Sequence, residues 1–284
     1  MKLVCLGWTC LDQRLQVASF PPCSSRSEVL GFRWAVGGPA AVGALAAARL
    51  GGQVKLLSRR ADDPVGAQLA TLLAGEGVEA QFSLTRGGES PVSAVLTVPG
   101  GERYIFRYRG RLGEQADWNP REALAGADAV LIDQRWPAAA LPLADAARER
   151  GVPAVLDLDR DELAGWELAA RCSHVIASEE LARALGGVGA TLERIASLGA
   201  WAAVTLGERG VVCAEGLYPA HAVEARDSTG AGDVFHGAFT WALAGGYSEA
   251  AALRLASAAA ALHVQNGHPQ DHAAALALLR SRGE

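Results

Sequence analysis

The residues best suited to chemistry lie in one short run, DSTGAGDVFHGAF, at positions 227–239. Gly230, Ala231 and Gly232 carry almost no side chain, so this loop can turn sharply and bring its backbone close to a ligand. The apolar residues that follow predict a helix, and the free N–H groups and dipole of a first helical turn favour a bound anion such as phosphate. The sequence therefore predicts an anion-binding site in this loop.

One carboxylate, that of Asp233, follows the predicted anion site directly. A carboxylate beside a phosphate repels it unless the carboxylate has a proton to remove. We therefore interpret Asp233 as a general base that deprotonates a substrate hydroxyl while the adjacent N–H groups stabilise a phosphoryl group in transfer. The same residues also fit an ordinary glycine-rich loop in which Asp233 caps a helix, and the motif alone does not separate the two interpretations.

Short apolar segments alternate with Ala- and Leu-rich stretches along the chain, and these elements must position the loop. Apolar runs without polar alternation are typical of strands that are buried on both faces. Strand–helix–strand repetition then predicts an α/β fold with a doubly wound, mostly parallel sheet flanked by helices. Strands are predicted at 2–7, 53–58, 128–133, 153–158, 173–177, 201–206 and 210–214, and helices near 38–50, 64–76, 137–150, 190–198, 231–244 and 248–265.

Two segments, residues 14–36 and about 92–109, lack a helical period and interrupt this alternation. In the second, VSAVLTVPGGERYIFRY, two apolar stretches flank Pro99-Gly100-Gly101, which predicts a hairpin. We therefore predict a single domain over residues 1–284 with a small β-sheet lid formed by about 13–36 and 91–112. Because hairpin strands at a sheet edge tend to pair with other strands, a homodimer joined through the lids is also predicted.

The composition restricts the classes of partner. The chain has 284 residues, of which 50% are hydrophobic and 20% charged, as in ordinary globular proteins. A net charge of −5 without a basic cluster argues against a nucleic-acid partner. The five cysteines are scattered and form no CxxC pair, and no apolar run is long enough to cross a membrane or to act as a signal peptide. We therefore expect a cytoplasmic protein that binds no membrane.

Three motifs, in order along nearly the whole chain, resemble those of one family. DSTGAGD is similar to the C-terminal signature D-T-x-G-A-G-D of the ribokinase-like (PfkB) carbohydrate kinases. VGGPAAVGALAAARLGG, at 36–52, is similar to the N-terminal double-glycine signature of that family. VTLGERG, at 204–210, is similar to its nucleotide-side strand and loop. Together these motifs make a specific match.

The resemblance implies a ribokinase-like fold with a β-lid, binding of ATP and Mg²⁺, and transfer of the γ-phosphoryl group to a hydroxyl of a sugar. It leaves a dependence on a monovalent cation open. On this resemblance Asp233 is the catalytic base, and Gly230, Ala231 and Gly232 form the anion hole. The residues implied to bind the nucleotide are Thr205, Gly207, Gly210, Ser228, Thr229, His263 and Asn266.

The family pattern also implies residues for the sugar and the metal ion. Asp12, Gly37 and Gly38 match positions that bind the sugar. The asparagine expected after the double glycine is Val42, which removes a polar contact and argues against simple ribose-type recognition. The stretch ASEELARALGG has Ser178 in place of the asparagine of the family's N-x-x-E motif, and its register leaves Glu179 or Glu180 as the acidic residue. Glu179 is the residue implied to reach Mg²⁺ through water, although a plain surface glutamate also fits.

Three arginines on substrate-side segments suggest an anionic substrate. Arg26, Arg107 and Arg135 lie in the first lid segment, on the hairpin and after the strand AVLID, and guanidinium groups suit tetrahedral anions. The segments GGPAA, DQRW and GDVFHGAF look most like the sulfofructose kinase branch, in which equivalent positions hold the sulfonate. The hairpin position of that branch is more often Asn, so Arg107 is a departure. The resemblance implies a ketose with an anionic group at C6, first 6-deoxy-6-sulfofructose, phosphorylated at C1.

Alternatives of the same fold are a fructokinase or a 2-keto-3-deoxygluconate kinase. A dinucleotide-binding oxidoreductase is a different class, but GWTCLD after the first predicted strand lacks the G-x-G-x-x-G fingerprint. A Walker-type kinase is disfavoured because the chain has no GxxxxGK[ST] segment. A non-catalytic sugar-binding regulator is disfavoured by the intact segment from Gly230 to Asp233.

Overall fold

The structure is a computed structural model and describes residues 1–99 and 102–283. Within these residues the chain forms two β-sheets, and helices pack on both faces of the larger one. The strands are β1 (Lys2–Leu6), β2 (Cys10–Val17), β3 (Val29–Gly37), β4 (Gln53–Ala61), β5 (Val78–Thr85), β6 (Val92–Thr97), β7 (Arg103–Tyr108), β8 (Ala129–Asp133), β9 (Ala154–Leu158), β10 (His174–Ser178), β11 (Trp201–Thr205), β12 (Val211–Cys213) and β13 (Gly216–Tyr218). The helices are α1 (Pro39–Arg49), α2 (Pro64–Gly75), α3 (Pro120–Ala123), α4 (Pro137–Glu149), α5 (Leu163–Ala169), α6 (Glu179–Ala184), α7 (Val188–Ser197), α8 (Ala231–Ala244), α9 (Glu249–Asn266) and α10 (His272–Ser281).

The large sheet has the strand order β13-β12-β11-β10-β9-β8-β1-β4-β5. In the part of this order that runs β11-β10-β9-β8-β1-β4-β5, all neighbouring strands are parallel. At one edge, β12 pairs antiparallel with both β11 and β13. The chain winds outwards from β1 to β4 and β5 on one side, and from β8 to β13 on the other. This confirms the predicted doubly wound fold and puts the reversal of strand order between β1 and β8, where such sheets bind ligands.

Strand β1 shows why the strands of this sheet are apolar throughout. Leu3 and Cys5 point into one hydrophobic core, which contains buried residues of α1, α8 and α9. Val4 and Leu6 alternate with them and point into a second core, which contains buried residues of α4, α5 and α7. Because successive side chains of a strand point to opposite faces, a strand between two cores has no polar positions.

The small sheet has the order β3-β2-β6-β7 and lies apart from the large one. Strand β2 pairs antiparallel with β3 and parallel with β6, and β6 pairs antiparallel with β7. The predicted hairpin is therefore confirmed in its two strands. Of its predicted turn, Gly100 and Gly101 lie outside the described residues. Strand β2 begins at Cys10, slightly before the predicted start of the lid.

The two faces of the small sheet differ in chemistry. Asp12 pairs with Ser93, and Ser93 pairs with Arg107, so these three side chains share a face. Asp12 is only 6% exposed, which identifies this face as the one that is turned toward the rest of the chain. The opposite face carries exposed apolar and aromatic side chains, namely Phe32, Trp34, Phe106 and Tyr108.

Several short or peripheral elements were not predicted, among them β5, β13, α3, α5, α6 and α10. Strand β5, with the sequence VEAQFSLT, alternates in burial at the edge of the large sheet, so a search for uninterrupted apolar runs passes over it. Helices α3 and α6 have 4 and 6 residues, too few to give a helical period. The longer predicted helices are all present within two residues of their predicted ends.

The cysteines are free thiols: Cys23 is exposed, and Cys5, Cys10, Cys172 and Cys213 are buried. Burial raises the pKa of Cys5 and of Cys172 to about 12, so these thiols stay protonated. In the part of the chain that the structure describes, no helix has the length and apolar character needed to cross a bilayer.

Candidate active site

The predicted anion-binding loop leads directly into α8, and residues 227–232 are here called the anion loop. Gly230 has a φ of 80°, in the left-handed region. A Cβ at this position would lie 3.2 Å from Cγ1 of Val42, so conformation and space both favour glycine. The N–H groups of Gly232 and Asp233 find no acceptor among the described residues. Unpaired N–H groups at the start of a helix are what an anion site requires.

Asp233 lies in the first turn of α8 without capping it. The N-cap residue is Gly230, and the helix start has no hydrogen bond from a capping side chain, which argues against the alternative that Asp233 is only a cap. Burial, then the negative charge of Asp157, raise the pKa of Asp233 to about 7, against the opposing charges of His236 and Arg135. A carboxylate with this pKa exchanges protons near neutral pH, as a general base does.

Charged side chains from the ends of β8 and β9 surround Asp233. Asp133 ends β8, Asp157 lies one residue before the end of β9, and burial raises the pKa of both carboxyl groups. His236 has its Nε2 3.6 Å from an Asp157 oxygen and its Nδ1 2.6 Å from the carbonyl oxygen of Gly232. The imidazole of His236 therefore links Asp157 to the first turn of α8. Sequence reasoning did not identify this pair.

Arg135 follows β8 and belongs to the same cluster. Its Nη2 donates to the carboxylate of Asp159, while its Nη1 is buried and has no partner among the described residues. Burial disfavours the charged guanidinium, but Asp133 and the other carboxylates outweigh it and raise the pKa of Arg135 above its ordinary value. The structure therefore places a permanently charged group, with one unused donor, close to Asp233.

Asp133 fixes the backbone on the sugar side of the site. Its carboxylate accepts hydrogen bonds from the N–H groups of Trp8, Ala40 and Arg135, at 2.7, 3.1 and 2.9 Å. These groups lie just after β1, at the start of α1 and just after β8. One buried carboxylate thereby holds three segments together at the switch point of the sheet.

Of the residues predicted to bind the sugar, Gly37 lies against Asp12, and Gly38 lies against the backbone of Trp8. A Cβ on Gly37 would overlap the Asp12 carboxylate, so the backbone of β3 approaches this side chain as closely as it can. Gly38 precedes α1 with a φ of 98°. Helix α1 packs on α8, and a Cβ on Gly43 would lie 3.3 Å from the carbonyl oxygen of Asp233. The helix that begins after the double glycine therefore packs against the turn of α8 that carries the candidate base.

A cavity of about 1,100 Å³ opens on the other side of the anion loop. Thr205, Gly207, Gly210 and Ser228 line it, together with Ala231 and Gly232 of the predicted anion hole. A Cβ on Gly232 would meet nothing within 4 Å, so the start of α8 is open to this space. The volume suits a nucleotide. Thr229 does not line the cavity, because it is buried and its carbonyl oxygen accepts a hydrogen bond from His263.

His263 and Asn266, which are predicted to bind the nucleotide, do not line this cavity, and their roles stay predictions. His263 is 3% exposed, its Nε2 donates to the Thr229 carbonyl oxygen at 2.7 Å, and it borders a separate cavity of about 400 Å³. Asn266 is exposed and donates to the carbonyl oxygen of Leu262. The 3.6-residue period of α9 turns a different face to the nucleotide cavity. That face carries Ser257, Ala260, Ala261 and Val264.

Glu179 borders the nucleotide cavity, but its charge is already matched. It begins α6, and its two oxygens lie 2.7 Å from Arg209 and 3.5 Å from Arg183. Ser178 caps α6 instead of facing the cavity. No group of three or more His, Cys, Asp or Glu side chains within residues 1–99 and 102–283 could hold a metal ion. These residues fit Mg²⁺ only as a hydrated ion carried by phosphates.

The other two arginines of the predicted anion clamp differ in placement. Arg107 is exposed on β7, on the face of the small sheet that carries Asp12, and in the same row of cross-strand pairs. Arg26 is exposed in the segment between β2 and β3, where its carbonyl oxygen accepts a hydrogen bond from Ser24. The structure therefore aligns Arg107 with Asp12 and Ser93, whereas no described contact joins Arg26 to them.

Sequence reasoning missed arginines of the small sheet that contact the anion loop. Arg14 lies 3.0 Å and Arg33 3.6 Å from the Asp227 carboxylate. Arg103 donates to the hydroxyl of Ser228. Burial opposes ionisation, but hydrogen bonds from Thr229 and both guanidinium charges hold the pKa of Asp227 below its ordinary value. The period-two spacing of Asp12 and Arg14 on one strand was the available signal.

Comparison with known proteins gives a consistent family assignment. Residues 1–275 match the profile of the pfkB family carbohydrate kinases. The ribokinase of Bacillus subtilis is 29% identical over 274 residues, which cover 93% of each chain.

Solved structures agree with this assignment along the whole chain. A crystal structure of a candidate ribokinase from Agrobacterium tumefaciens superposes with a TM-score of 0.93 at 30% identity, covering 100% of this chain and 99% of the other. The ribokinase of Arabidopsis thaliana, solved with ribose and ATP, has a TM-score of 0.81 at 26% identity and 98% coverage of both chains. The chain therefore belongs to the pfkB family of carbohydrate kinases and is a ribokinase-like sugar kinase, a phosphotransferase.

Proposed function

We propose that this kinase uses ATP to phosphorylate a ketose that carries an anionic group, with 6-deoxy-6-sulfofructose as the first candidate and its 1-phosphate as the product. The observation that carries the proposal is Arg135. Its guanidinium is buried beside the candidate base, and one donor nitrogen has no partner among the described residues. Because a buried donor without an acceptor is destabilising, an anionic substrate group is a suitable partner for it.

Two further features support an anionic substrate. Arg107 shares the row of Asp12 and Ser93 on the small sheet, so a second guanidinium faces the sugar side of the cleft. Val42 stands where the family pattern has a polar residue for sugar hydroxyls, so recognition has to come from elsewhere. For Arg26, the third arginine of the predicted clamp, the sequence resemblance is the only support.

The proposed roles of the remaining residues follow from the geometry. Asp233 takes the proton of the sugar hydroxyl while the N–H groups around Gly230–Gly232 bind the phosphoryl group in transfer. Asp12, with the backbone of Gly37 and Gly38, orients the sugar. ATP lies along Thr205, Gly207, Gly210 and Ser228. Mg²⁺, when bound, neutralises phosphate charge, with Glu179 reaching it through water. Whether a monovalent cation is required is tested by exchanging K⁺ for Na⁺ in the assay.

Steady-state kinetics on four sugars test the substrate class. We expect kcat/KM for sulfofructose or fructose 6-phosphate to exceed that for neutral fructose and for ribose by about 10²-fold, the size of one or two charge-assisted hydrogen bonds. Comparing sulfofructose with fructose 6-phosphate then separates sulfonate from phosphate. Equal or better turnover of fructose or ribose would remove the anionic ketose from the proposal and leave the kinase assignment intact.

Two variants sharpen this test. Arg107→Gln changes an exposed residue, so folding is unaffected, and it should raise KM for the anionic ketose by about tenfold without changing KM for fructose. Arg109→Gln removes the same charge from an exposed position that borders neither cavity and serves as the matched control. Arg135→Gln should have the larger effect, read with a thermal unfolding curve because this residue is buried.

Ribose is the second candidate substrate. The proteins from Bacillus subtilis and Arabidopsis thaliana are ribokinases, and the latter was solved with ribose. Asp12 and the double glycine are retained in this chain, which favours a sugar bound in the same place. The ribose arm of the same kinetic experiment decides between the two substrates.

We also propose that the small sheet is a lid on a single domain and that two chains pair through the outer faces of their lids. Exposed aromatic side chains on that face support pairing, since Phe32 and Trp34 contact each other edge to face at 5.2 Å and are 51% and 42% exposed. Sedimentation of the wild type and of Phe106→Glu tests this pairing. A wild-type monomer at micromolar concentration would exclude it.

A further inference from the structure

Arg103 connects the small sheet to the anion loop. It begins β7 and pairs with Thr97, which in turn lies beside Gln16. This row is separated by an even number of residues from the row of Asp12, so the Arg103 side chain points from the same face of the small sheet, toward the rest of the chain. There its Nη1 donates to the hydroxyl of Ser228, two residues before Gly230.

The guanidinium of Arg103 also borders the nucleotide cavity. It is the small sheet's contribution to a lining that otherwise comes from the large-sheet side, including Ala231 and Gly232. These two residues begin α8, where the N–H groups of Gly232 and Asp233 have no acceptor among the described residues and are free to bind an anion. Arg103 is therefore next to the place where the phosphates of a nucleotide would meet the anion loop.

The charge of Arg103 is available to such an anion. Arg209, which borders the same cavity, is paired with Glu179 at 2.7 Å. Arg14, on the same face of the small sheet, is paired with Asp227. For Arg103, in contrast, the described residues include no carboxylate within ion-pair distance, and its contact is the neutral Ser228 hydroxyl. A guanidinium held only by a hydroxyl keeps most of its donors and its whole charge for a ligand.

We propose that Arg103 is a phosphate-binding residue which the small sheet delivers to the transferring phosphoryl group. In the reaction the bond between phosphorus and the β–γ bridging oxygen breaks, a bond from phosphorus to the sugar oxygen forms, and the sugar proton passes to Asp233. Arg103 exchanges no proton. It stabilises the negative charge on the non-bridging oxygens, as positioned cations do in phosphoryl transfer. This role rests on the kinase activity and not on the identity of the sugar.

The ion pair between Arg14 and Asp227 fixes the position of the small sheet relative to the anion loop. Asp227 accepts from Arg14 at 3.0 Å and from the N–H group of Thr229 at 2.9 Å, so one carboxylate joins β2 to the anion loop. With β2 fixed in this way, β7 of the same sheet brings Arg103 to Ser228. A cation that is in place only when the small sheet covers the cleft makes phosphoryl transfer depend on closure, which disfavours transfer to water.

Steady-state kinetics with ATP and the best-used sugar test the proposal. We expect Arg103→Gln to lower kcat by about 10²-fold, and Arg103→Lys to lower it by about tenfold, because lysine keeps the charge and loses the fork. Arg109→Gln, the matched control, should stay within about twofold of wild type, as expected for an exposed charge outside the site. Guanidinium ions at millimolar concentration should restore part of the activity of Arg103→Ala and none in Asp233→Asn.

Calorimetric binding separates a phosphate contact from a structural effect. Arg103→Gln should weaken binding of MgADP with aluminium fluoride and sugar by about the same factor as kcat, and binding of MgADP alone by no more than about threefold. The proposal is overturned if kcat and KM for ATP of Arg103→Gln stay within twofold of wild type. It is also overturned if both complexes weaken equally. If instead the wild type prefers ribose, only the anionic ketose is lost, because both binding measurements are independent of it.

Discussion

The two sides of the cleft are built by different means. On the side of the large sheet, glycine geometry and backbone hydrogen bonds fix the site: Gly230 needs its positive φ, and the Asp133 carboxylate binds three N–H groups. On the side of the small sheet, side chains hold the position, chiefly Arg14 on Asp227 and Arg103 on Ser228. The first side is thus preorganised before any ligand arrives, whereas the second is held by an ion pair and a hydrogen bond between separate segments of the chain.

This difference predicts which substitutions affect the chemical step and which affect closure of the cleft. Substitutions on the large-sheet side should abolish the chemical step without moving the small sheet. Substitutions that break the ion pair of Arg14 with Asp227 should act on both substrates together, because they change the population of the closed cleft.

The largest effect is expected for Asp233→Asn. Because asparagine keeps the shape and cannot accept a proton, kcat should fall by about 10³-fold or more while sugar affinity stays close to wild type. Rapid-quench measurement of one turnover, with sugar affinity from calorimetry, checks both quantities. Activity within about tenfold of wild type would show that another group removes the proton.

The same variant has a stability signature. Burial raises the folded-state pKa of Asp233 to about 7, above the value of an exposed aspartate, so its contribution to stability is full at low pH and is lost as the pH rises through 7. Asp233→Asn should therefore unfold at a higher temperature than wild type at pH 8, and the difference should shrink toward pH 4. An inactive but equally or more stable protein excludes misfolding as the cause of inactivity.

The next effect concerns the ion pair that joins the small sheet to the anion loop. Arg14→Gln and Asp227→Asn should each lower kcat/KM for sugar and ATP by about tenfold, because either change frees β2 from the loop. The side chains of Arg14 and Asp227 are only 11% and 17% exposed, so the double variant should show a coupling of about 1–2 kcal/mol.

The control pair for this double-mutant cycle lies within the small-sheet region itself. Arg111 and Glu89 form an ion pair at 2.6 Å, but they are 71% and 42% exposed. Their coupling should not exceed about 0.5 kcal/mol, as is usual for exposed pairs. If both cycles give the same coupling, the contact between Arg14 and Asp227 is no more than a surface ion pair.

The sequence predicted the large-sheet side much better than the small-sheet side, and the reason is physical. The function of DSTGAGD and of the double glycine depends on backbone conformation, which residues close in sequence determine. Gly230 and Asp233 could therefore be located from the local sequence alone. Arg14 and Asp227 lie 213 residues apart in the sequence, and no local pattern joins them. Arg26, which was predicted, has no described contact with the site, whereas Arg33 and Arg103, which were not, contact the anion loop.

Helical period explains why two residues of α9 do not line the nucleotide cavity. The family resemblance implies nucleotide contacts for His263 and Asn266, but it does not say which face of α9 carries them. Val264 borders the nucleotide cavity, and the two predicted residues lie about 100° and 200° around the helix from it. The strands of the large sheet were predicted well because burial on both faces leaves an unbroken apolar run. Strand β5, at the edge, has no such run.

A moderate effect is expected in the pH profile. With an Asp233 pKa of about 7, kcat/KM should rise about tenfold between pH 6 and its plateau. The groups that act on Asp233 are Asp157, His236, Arg135 and Asp133. The charge interaction with His236 lowers the pKa of Asp233, and His236→Gln removes that interaction, so the profile should move to higher pH. Asp157→Asn removes a negative charge that raises it, so the profile should move to lower pH.

These opposite directions distinguish electrostatics from damage to the site. A structural defect in either variant would lower the plateau without moving the midpoint. Shifts of the same sign in both variants would show that the base is not Asp233, since the charges of Asp157 and His236 act on Asp233 in opposite senses.

The smallest effect is expected at Glu179, on the rim of the nucleotide cavity. Glu179→Gln should change kcat by no more than about threefold, because phosphates and water provide most ligands of Mg²⁺. Since Arg209 loses its carboxylate partner, its charge becomes available to the nucleotide, and KM for ATP should fall slightly, whereas Arg209→Gln should raise it. Kinetics across a range of Mg²⁺ concentrations measures both effects. A more than tenfold higher requirement for Mg²⁺ in Glu179→Gln would mean that the carboxylate holds the ion directly, which would make the rim of the cavity part of the preorganised side of the cleft.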